Sequence, residues 1–294
     1  MAESLINTKR RINTIESTKK ITKAMKLVAS VKFQRWKRFY QDDIPFRDGM
    51  YETLIRSTIG CPLRSLKNSR CLMEFDSDKN LYIVVTSTLG LCGAYNYNIF
   101  KEFDPLIRKQ DELLFIGQKG SIRYHQRGNV TYDNFVNIMD KDFAFSKARR
   151  LRHVILQLHM KNHYKGIYLV YTKYKNSLTF IPTIEKLVPF DIDEIEKAQE
   201  KYNEFDPVEV DSSRKELVSH LLPHYLDALL YNHLLEAEVC ELSSRRNAME
   251  SATDAADKIT KQLRITYNKT RQNQITQEIT EVVAGANAGK DEEA

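Results

Sequence analysis

The apolar residues near the amino terminus are sparse and helically spaced. Leu5, Ile12, Ile15, Ile21, Met25, Val28 and Val31 advance in steps of three, four, six or seven. That is a narrow stripe along one helix face, too thin for the interior of a globular core. It predicts a helix from Ser4 into the low fifties, roughly 75 Å long at ~1.5 Å per residue. Pro45 is where it would kink or break. A second pattern closes the chain: after Asp206-Pro207, helical spacing runs to Gly285 with Pro223 as its one internal breaker. Ala248, Ala252, Ala255, Ile259 and Leu263 form that stripe, and Ile275, Ile279 and Val282 or Val283 continue it. From His224 to Ala284 the helix would span roughly 90 Å. Small alanines on a seam allow close approach, so the two slender stripes predict an antiparallel coiled coil.

Residues 70 to 200 change period. Leu81-Tyr-Ile-Val-Val reads as a buried strand, followed by a turn with Gly90 and Gly93. A helix is predicted from Asn96 or Asn98 to about Gln110, interrupted at Pro105. Leu113-Leu-Phe-Ile-Gly is a second strand, Ser121 to Arg127 a short helix, and Val130 and Tyr132 lie on a third strand. Ser146 to Tyr164 is helical, and Ile167-Tyr-Leu-Val-Tyr with Leu178-Thr-Phe-Ile forms a hairpin turning at Lys175-Asn176. Alternating strands and helices indicate a small α/β, Rossmann-like domain with a mostly parallel sheet. The polar stretch Asp191 to Glu209 reads as a linker. The expected organisation is an amino-terminal helix over 1–58, an α/β domain inserted at 70–205, a carboxyl-terminal helix over 208–286 and an acidic tail at 287–294.

Composition sharpens this picture. Ten Gly and seven Pro in 294 residues, against about 20 and 15 for average usage, favour long uninterrupted helices. The net charge of +6 is uneven: residues 1 to 40 hold eleven Lys and Arg against Glu3 and Glu16. Such an arm requires an acidic partner, whether nucleic acid, an anionic membrane or an acidic protein surface. Cys61, Cys71, Cys92 and Cys240 are scattered without a C-x-x-C pair, as expected for reduced, buried thiols in a cytoplasm. No apolar run approaches the ~20 residues of a membrane span, and Met1-Ala-Glu-Ser-Leu lacks a signal-peptide core.

Chemistry is thin. Gly90-Leu-Cys-Gly-Ala follows a strand where an α/β fold could bind phosphate, but neither G-x-G-x-x-G nor a P-loop is present. A tight strand-to-helix turn is the expected reading, with Cys92 a structural thiol. His153, His159 and His163 share a predicted helix without H-E-x-x-H, and are expected to be solvated or capping residues. No cofactor is expected. A nucleic-acid-binding coiled-coil scaffold competes for the basic arm and would show steep salt dependence.

Two terminal stretches carry a resemblance. Lys19-Lys-Ile-Thr-Lys-Ala-Met-Lys-Leu-Val-Ala-Ser resembles the amino-terminal helix of the gamma subunit family of F-type ATP synthases, and Tyr267 through Ala286 is similar to that family's carboxyl-terminal signature. Leu221-Leu-Pro-His-Tyr-Leu, Leu234-Leu-Glu-Ala and the run Arg245 to Asp254 fit the same helix, while Gly90-Leu-Cys-Gly with Asn96-Tyr-Asn-Ile-Phe resembles the central domain.

The resemblance implies a shaft without catalysis of its own, turning inside a hexamer of alpha and beta subunits. An epsilon-type subunit, and in a synthase a membrane c-ring, would lie at the foot. It implies no nucleic acid, and a place at the cytoplasmic face of a membrane. Met25, Lys26, Arg271, Gln272 and Thr276 would meet acidic loops of beta, an environment suited to a guanidinium fork and an amide. Ile275, Ile279, Val282 and Val283 would form the apolar bearing, and Gly90, Leu91, Cys92 and Gly93 the foot-docking loop. Thr88-Leu89 departs from the family's usual Asp-Arg, and Leu242, Arg246 and Ala255 from its His or Gln, Met and Asn. These departures suggest, as an alternative, a gamma-like rotor of a specialised motor that does not perform proton-coupled synthesis.

Overall fold

The computed structural model describes residues 2–66, 69–139, 143–202 and 213–291. It has two compact units: Ala29–Arg245, which contains the sheet, and Met1–Val28 with Arg246–Ala294, which is helical. Helices α1 (Ala2–Thr58) and α6 (Arg214–Asp291) contribute to both. The fold is of the α/β class, with a long helix at each end of the chain and a mixed sheet between them in sequence.

In the sheet unit, the apolar run Asn80–Val85 forms β1, paired in parallel with β2 (Glu112–Ile116) on one side and β4 (Gly166–Tyr174) on the other. The short β3 (Thr131–Tyr132) extends the β2 edge in parallel, and β5 (Phe180–Val188) returns antiparallel to β4. The strand order is therefore β3-β2-β1-β4-β5. The chain winds outward from β1 through α2 (Tyr95–Phe103) and α3 (Gln118–Tyr124), then crosses back through α4 (Phe145–Asn162). The β4–β5 hairpin turns at Asn176, whose side-chain oxygen accepts from the amides of Leu178 (2.9 Å) and Thr179 (2.8 Å). Helix α2 ends at Phe103, short of the expected Gln110: Asp104 still has helical dihedrals (φ −53°, ψ −37°), but Pro105 has no N–H with which to continue the ladder.

Both sheet faces are covered, which explains the unbroken apolar strands. Successive side chains alternate between faces. Leu81, Ile83, Val85, Leu114, Ile116 and Leu169 join the core built with α1, α4 and α6, while Tyr82, Val84, Leu113, Phe115 and Val170 pack with α2 and Tyr124.

Three elements differ from the sequence reading. Pro45 does not interrupt α1, and Pro223 does not interrupt α6. Side chains around each proline are held by tertiary contacts that outweigh the lost backbone hydrogen bond. Asp43 accepts from Asn232 at 2.9 Å, Phe46 packs edge-on to Phe145, and Arg47 donates to Asn232 at 2.8 Å. Leu222 and Leu226 flank Pro223 in the core. The expected linker contains a helix, α5 (Ile192–Glu200). Asp191 caps it by accepting from the amides of Asp193 (2.9 Å) and Glu194 (3.3 Å), and Ile195 is buried. The acidic residues between its apolar positions hid a helical period in a polar stretch. The rest of that linker, 203–212, lies outside the described residues. At the carboxyl end, α6 runs on to Asp291, through most of the expected tail.

Within the sheet unit α6 is buried along a face that carries polar groups. Asp227 is fully buried and receives a forked pair from Arg152 on α4, at 2.8 and 3.1 Å. Glu236 accepts from the Tyr174 amide (2.9 Å) and the Tyr40 hydroxyl (3.2 Å). His233 lies between Glu185 (3.3 Å) and Glu236 (3.6 Å). Burial alone would depress the His233 pKa, but hydrogen bonds and charge from the two carboxylates win and raise it above its ordinary value.

Two outcomes follow for stability. Removing the carboxylate in Asp227→Ala strands the Arg152 guanidinium and should lower the unfolding free energy by about 3–5 kcal/mol in urea titrations. A histidine with a raised folded pKa contributes stability fully below its unfolded pKa of ~6.5 and loses it as pH climbs through the folded value. Urea midpoints should therefore fall as pH rises from about 6.5, and should fall less in His233→Asn.

Candidate functional site

The helical unit pairs the start of α1 with the end of α6. On α1 the shielded positions are Leu5, Thr8, Ile12, Ile15, Lys19, Thr22 and Lys26, alternating in steps of three and four. On α6 they are Met249, Thr253, Ala256, Thr260, Leu263, Tyr267, Thr270 and Gln274, with the same alternation. This is a regular heptad seam with polar residues at many core positions. It corrects the stripe read from apolar residues alone: Ile21 and Val28 face outward, as do Ala255 and Ile259, and in the sheet unit so does Val31. The register passes through Lys19, Thr22 and Lys26, whose stems and methyl groups line the seam while their polar ends pair across it.

Those pairs run antiparallel. Glu16 accepts from Arg264 at 2.5 Å, Lys19 pairs with Asp257, the Thr22 and Thr253 hydroxyls meet at 2.8 Å, and Lys26 donates to Glu250 at 2.7 Å. The Lys26 ammonium holds the Glu250 carboxyl below its usual range. Carried back along α1, this register sets Ala2 level with about residue 274 to 278 of α6. The last ~13 to 17 residues of α6, roughly 20–25 Å, therefore extend past the end of their partner.

The residues singled out from sequence fall into separate groups. Arg271, Gln272 and Thr276 are exposed near the end of α6, the Thr276 hydroxyl donating to the Gln272 carbonyl at 2.9 Å. Ile275, Ile279, Val282 and Val283 lie on the same stretch, 42, 58, 72 and 52% exposed. They are not packed in the helix pair: Ile275 faces away from the seam beside Gln274, and Ile279, Val282 and Val283 lie past the level of Ala2. Met25 and Lys26 are half-buried, and Lys26 pairs with Glu250. That is about 33 Å along the helix from Gln272 at ~1.5 Å per residue. Lys26 is thus a seam residue, and Met25 its neighbour, well away from the end of α6.

The Gly90–Gly93 segment lies in the sheet unit, in the β1–α2 loop. Leu91 and Gly93 both take left-handed backbone conformations (φ 65° and 59°), a strained choice for a leucine. The turn is pinned inside by Asn96. Its side chain accepts from the Ser87 amide (3.0 Å) and donates to the Ser87 hydroxyl (2.7 Å) and the Cys92 sulfur (3.4 Å). Cys92 is buried, whereas Leu91 is 61% exposed. The loop's carbonyls face α6. Arg245 donates to Gly90 and, at 3.3 Å, to Leu89, and Ser244 donates to Cys92 at 2.7 Å. Sequence reading placed Arg245 in a signature without giving it a role. Its one local signal is Glu241, one turn back, which accepts from it at 2.5 Å.

The three histidines of α4 do not act together. His153 is exposed and His163 ends the helix in a left-handed cap, as expected. His159 is instead fully buried, on the same face as Leu151 and Ile155, with Nε2 3.0 Å from the Met73 carbonyl. All four cysteines are free and buried. Among the described residues no helix is long and apolar enough to cross a membrane.

Long terminal helices with a doubly wound sheet between them in sequence have counterparts among solved structures. The chain superimposes on the rotor of the Euglena gracilis mitochondrial ATP synthase with a TM-score of 0.60, at 16% identity over 94% of this chain and 100% of that one. The central stalk of the Tetrahymena thermophila mitochondrial enzyme gives 0.53, at 24% identity over 79% and 99%. In sequence, residues 4–288 match the model of the ATP synthase family. The ATP synthase gamma chain of Mycoplasma mobile is 37% identical over 94% of this chain and 96% of its own length. That of Mycoplasmopsis synoviae is 35% identical over 97% and 99%. The chain belongs to the ATP synthase gamma chain family.

The seam register has a direct check. Because the Thr22 and Thr253 hydroxyls touch at 2.8 Å, the double variant Thr22→Cys, Thr253→Cys should cross-link on mild oxidation, within the short reach a disulfide demands. Cysteines one turn out of register, at Thr22 and Asp257, should not. Equal cross-linking of both pairs would disprove the register.

Proposed function

We propose that the chain is the central rotary shaft of an F-type ATPase. It couples ATP hydrolysis or synthesis in a ring of alpha and beta subunits to rotation, and nucleotide chemistry belongs to the ring. The observation that carries this reading is the exposed end of α6: Arg271, Gln272, Ile275 and Thr276 face out of the helix pair near the start of the described α1, and Ile279, Val282 and Val283 lie past the level of Ala2. Ile275, Ile279, Val282 and Val283 then turn against an apolar sleeve. An apolar contact lacks directional bonds, so it holds the axis without fixing the angle. Arg271, Gln272 and Thr276 meet acidic loops of beta, where a guanidinium can grip a carboxylate in two places.

The shaft acts through asymmetry. The two helices differ in sequence on every face, so each of the three beta subunits of an F-type ring meets a different surface and is biased toward a different conformation. Turning the shaft exchanges those biases. Met25 contributes farther down the shaft, while Lys26, committed to Glu250, supports the angle at which α1 presents it. Gly90 to Gly93 serve the foot: Leu91 is its contact, and Cys92 and the glycines set the pose. An epsilon-type subunit is the partner there, with a c-ring where the motor is a synthase, so the chain sits at a membrane's cytoplasmic face through its complex.

Affinity purification of the tagged chain should bring down alpha and beta subunits, and recovery with neither would end the rotor reading. Truncation before Asn268 should weaken assembly or torque while leaving the sheet unit's unfolding transition in place. The milder Arg271→Ala, Gln272→Ala variant should weaken binding to the ring by roughly tenfold or more, if these residues form desolvated polar contacts there.

A further inference from the structure

A doubly wound sheet has a ligand crevice at the carboxyl ends of the strands where the winding reverses. Here those strands are β1 and β4, and the loops bordering the crevice are Thr86–Ala94 and Lys175–Thr179. One turn of α6 is bonded to both. Ser243 donates to the Ser177 carbonyl (3.0 Å) and Ser244 to the Cys92 carbonyl (2.7 Å). Arg245 donates to the carbonyls of Gly90 and Leu89, and Glu241 neutralises it from one turn back. Farther back, the Tyr95 hydroxyl donates to the Ala237 carbonyl at 3.3 Å, and Cys240 is sealed in the apolar cluster with Tyr95 and Val170. Three consecutive residues of α6 thus supply donors to main-chain acceptors on both lips of the crevice.

The geometry points to α6 as the crevice's own ligand: we propose that the Ser243–Arg245 turn fills the site that related architectures leave for a small molecule, and that Arg245 is a positioning residue for the exposed Leu89 and Leu91 on the β1–α2 lip. Leu89 and Leu91 are 68 and 61% exposed, and Leu178 on the opposite lip is 80% exposed. A strained, leucine-bearing turn does not hold its shape unaided. Its carbonyls are fixed by the guanidinium of a residue that is itself only 9% exposed. The pose of the leucines is therefore tied to the rotational setting of α6 about its own axis. This role rests on the docking function given to the loop above.

The test uses the full chain and the thiol of Cys92, which is 2% exposed and borders the loop. Maleimide labelling of Cys92, located by peptide mass spectrometry, should rise about tenfold or more in Arg245→Met as the loop opens locally. It should rise less in Arg245→Lys, which keeps the charge and loses the fork. Cys71, in the other core cluster, should stay protected in both. Should Arg245→Met expose Cys71 as well, Ser244→Ala, which removes a single bond, supplies the measurement. Unchanged Cys92 labelling in every variant with Cys71 protected overturns the proposal.

The second readout is a photoreactive maleimide at Leu91→Cys in the purified complex. Its cross-linking yield to the neighbouring subunit should fall several-fold when Arg245→Met is added. A rise in Cys92 labelling with an unchanged yield refutes the positioning role. If Leu91→Cys cross-links to no subunit even with Arg245 intact, the docking reading fails and takes the positioning role with it, while the Cys92 result still decides whether α6 fills the crevice.

Discussion

The sheet unit depends on one constraint: α6 must bury a face that carries polar groups, and each of those groups has to find a partner. Apolar packing is nearly indifferent to a small rotation of a helix about its axis, whereas hydrogen bonds are not. Asp227 on Arg152, Asn232 on Arg47 and Asp43, Glu236 on Tyr40 and Tyr174, and Ser243 on Ser177 are directional contacts spread along more than four turns. Together they fix α6 against α1, α4 and the β4–β5 hairpin at one angle. A buried polar group left alone costs more than its bond gains, so the alternatives are penalised more strongly than the native setting is favoured. For a helix that transmits rotation, a defined angle is the property that matters.

The helical unit solves a different problem. Its seam is narrow, with threonines, lysines and one alanine at many positions where a stable coiled coil would carry leucine and isoleucine. Cross-helix pairs such as Lys26–Glu250 lie at the edge of solvent, where each contributes little to stability. They set register and direction. Apolar residues that a self-sufficient coiled coil would turn inward, including Ile21, Val28 and Ile279, face out instead. A pair of helices that exposes apolar surface on the outside and polar surface in its seam is built to be enclosed by other subunits.

The β1–α2 loop shows how a familiar architecture is turned to another use. Gly117 ends β2 at φ +90°, where a Cβ would come within 1.9 Å of the Thr86 carbonyl oxygen. The chain thus passes tightly across the end of β1, as it does in sheets of this kind that bind small molecules. The acceptors on the crevice's lips are met by side chains of α6. In this chain the sheet's winding serves to seat a helix.

Much of this was written in local sequence. Strand positions followed from short β-branched and aromatic runs, the terminal helices from period and length, and the family from signatures at Lys19–Ser30 and Tyr267–Ala286. What failed were inferences in which one residue type stood for a structural outcome. Pro45 and Pro223 read as breaks and are not, since contacts distant in sequence hold both sides of each. Helix α5 was hidden because its acidic residues outnumber the apolar ones that make it fold. The seam was misread at Ile21 and Val28 because Lys19, Thr22 and Lys26 keep the register without being hydrophobic, and the identity of their partners is not a local property. The end of α6 was legible as a signature, but its exposure came only from the register of α1 against it. Period, length and signature are properties of a segment, and the sequence determined those. Which face a residue presents, and whether anything stands opposite it, depends on pairs far apart in the chain, and only the tertiary structure decided that.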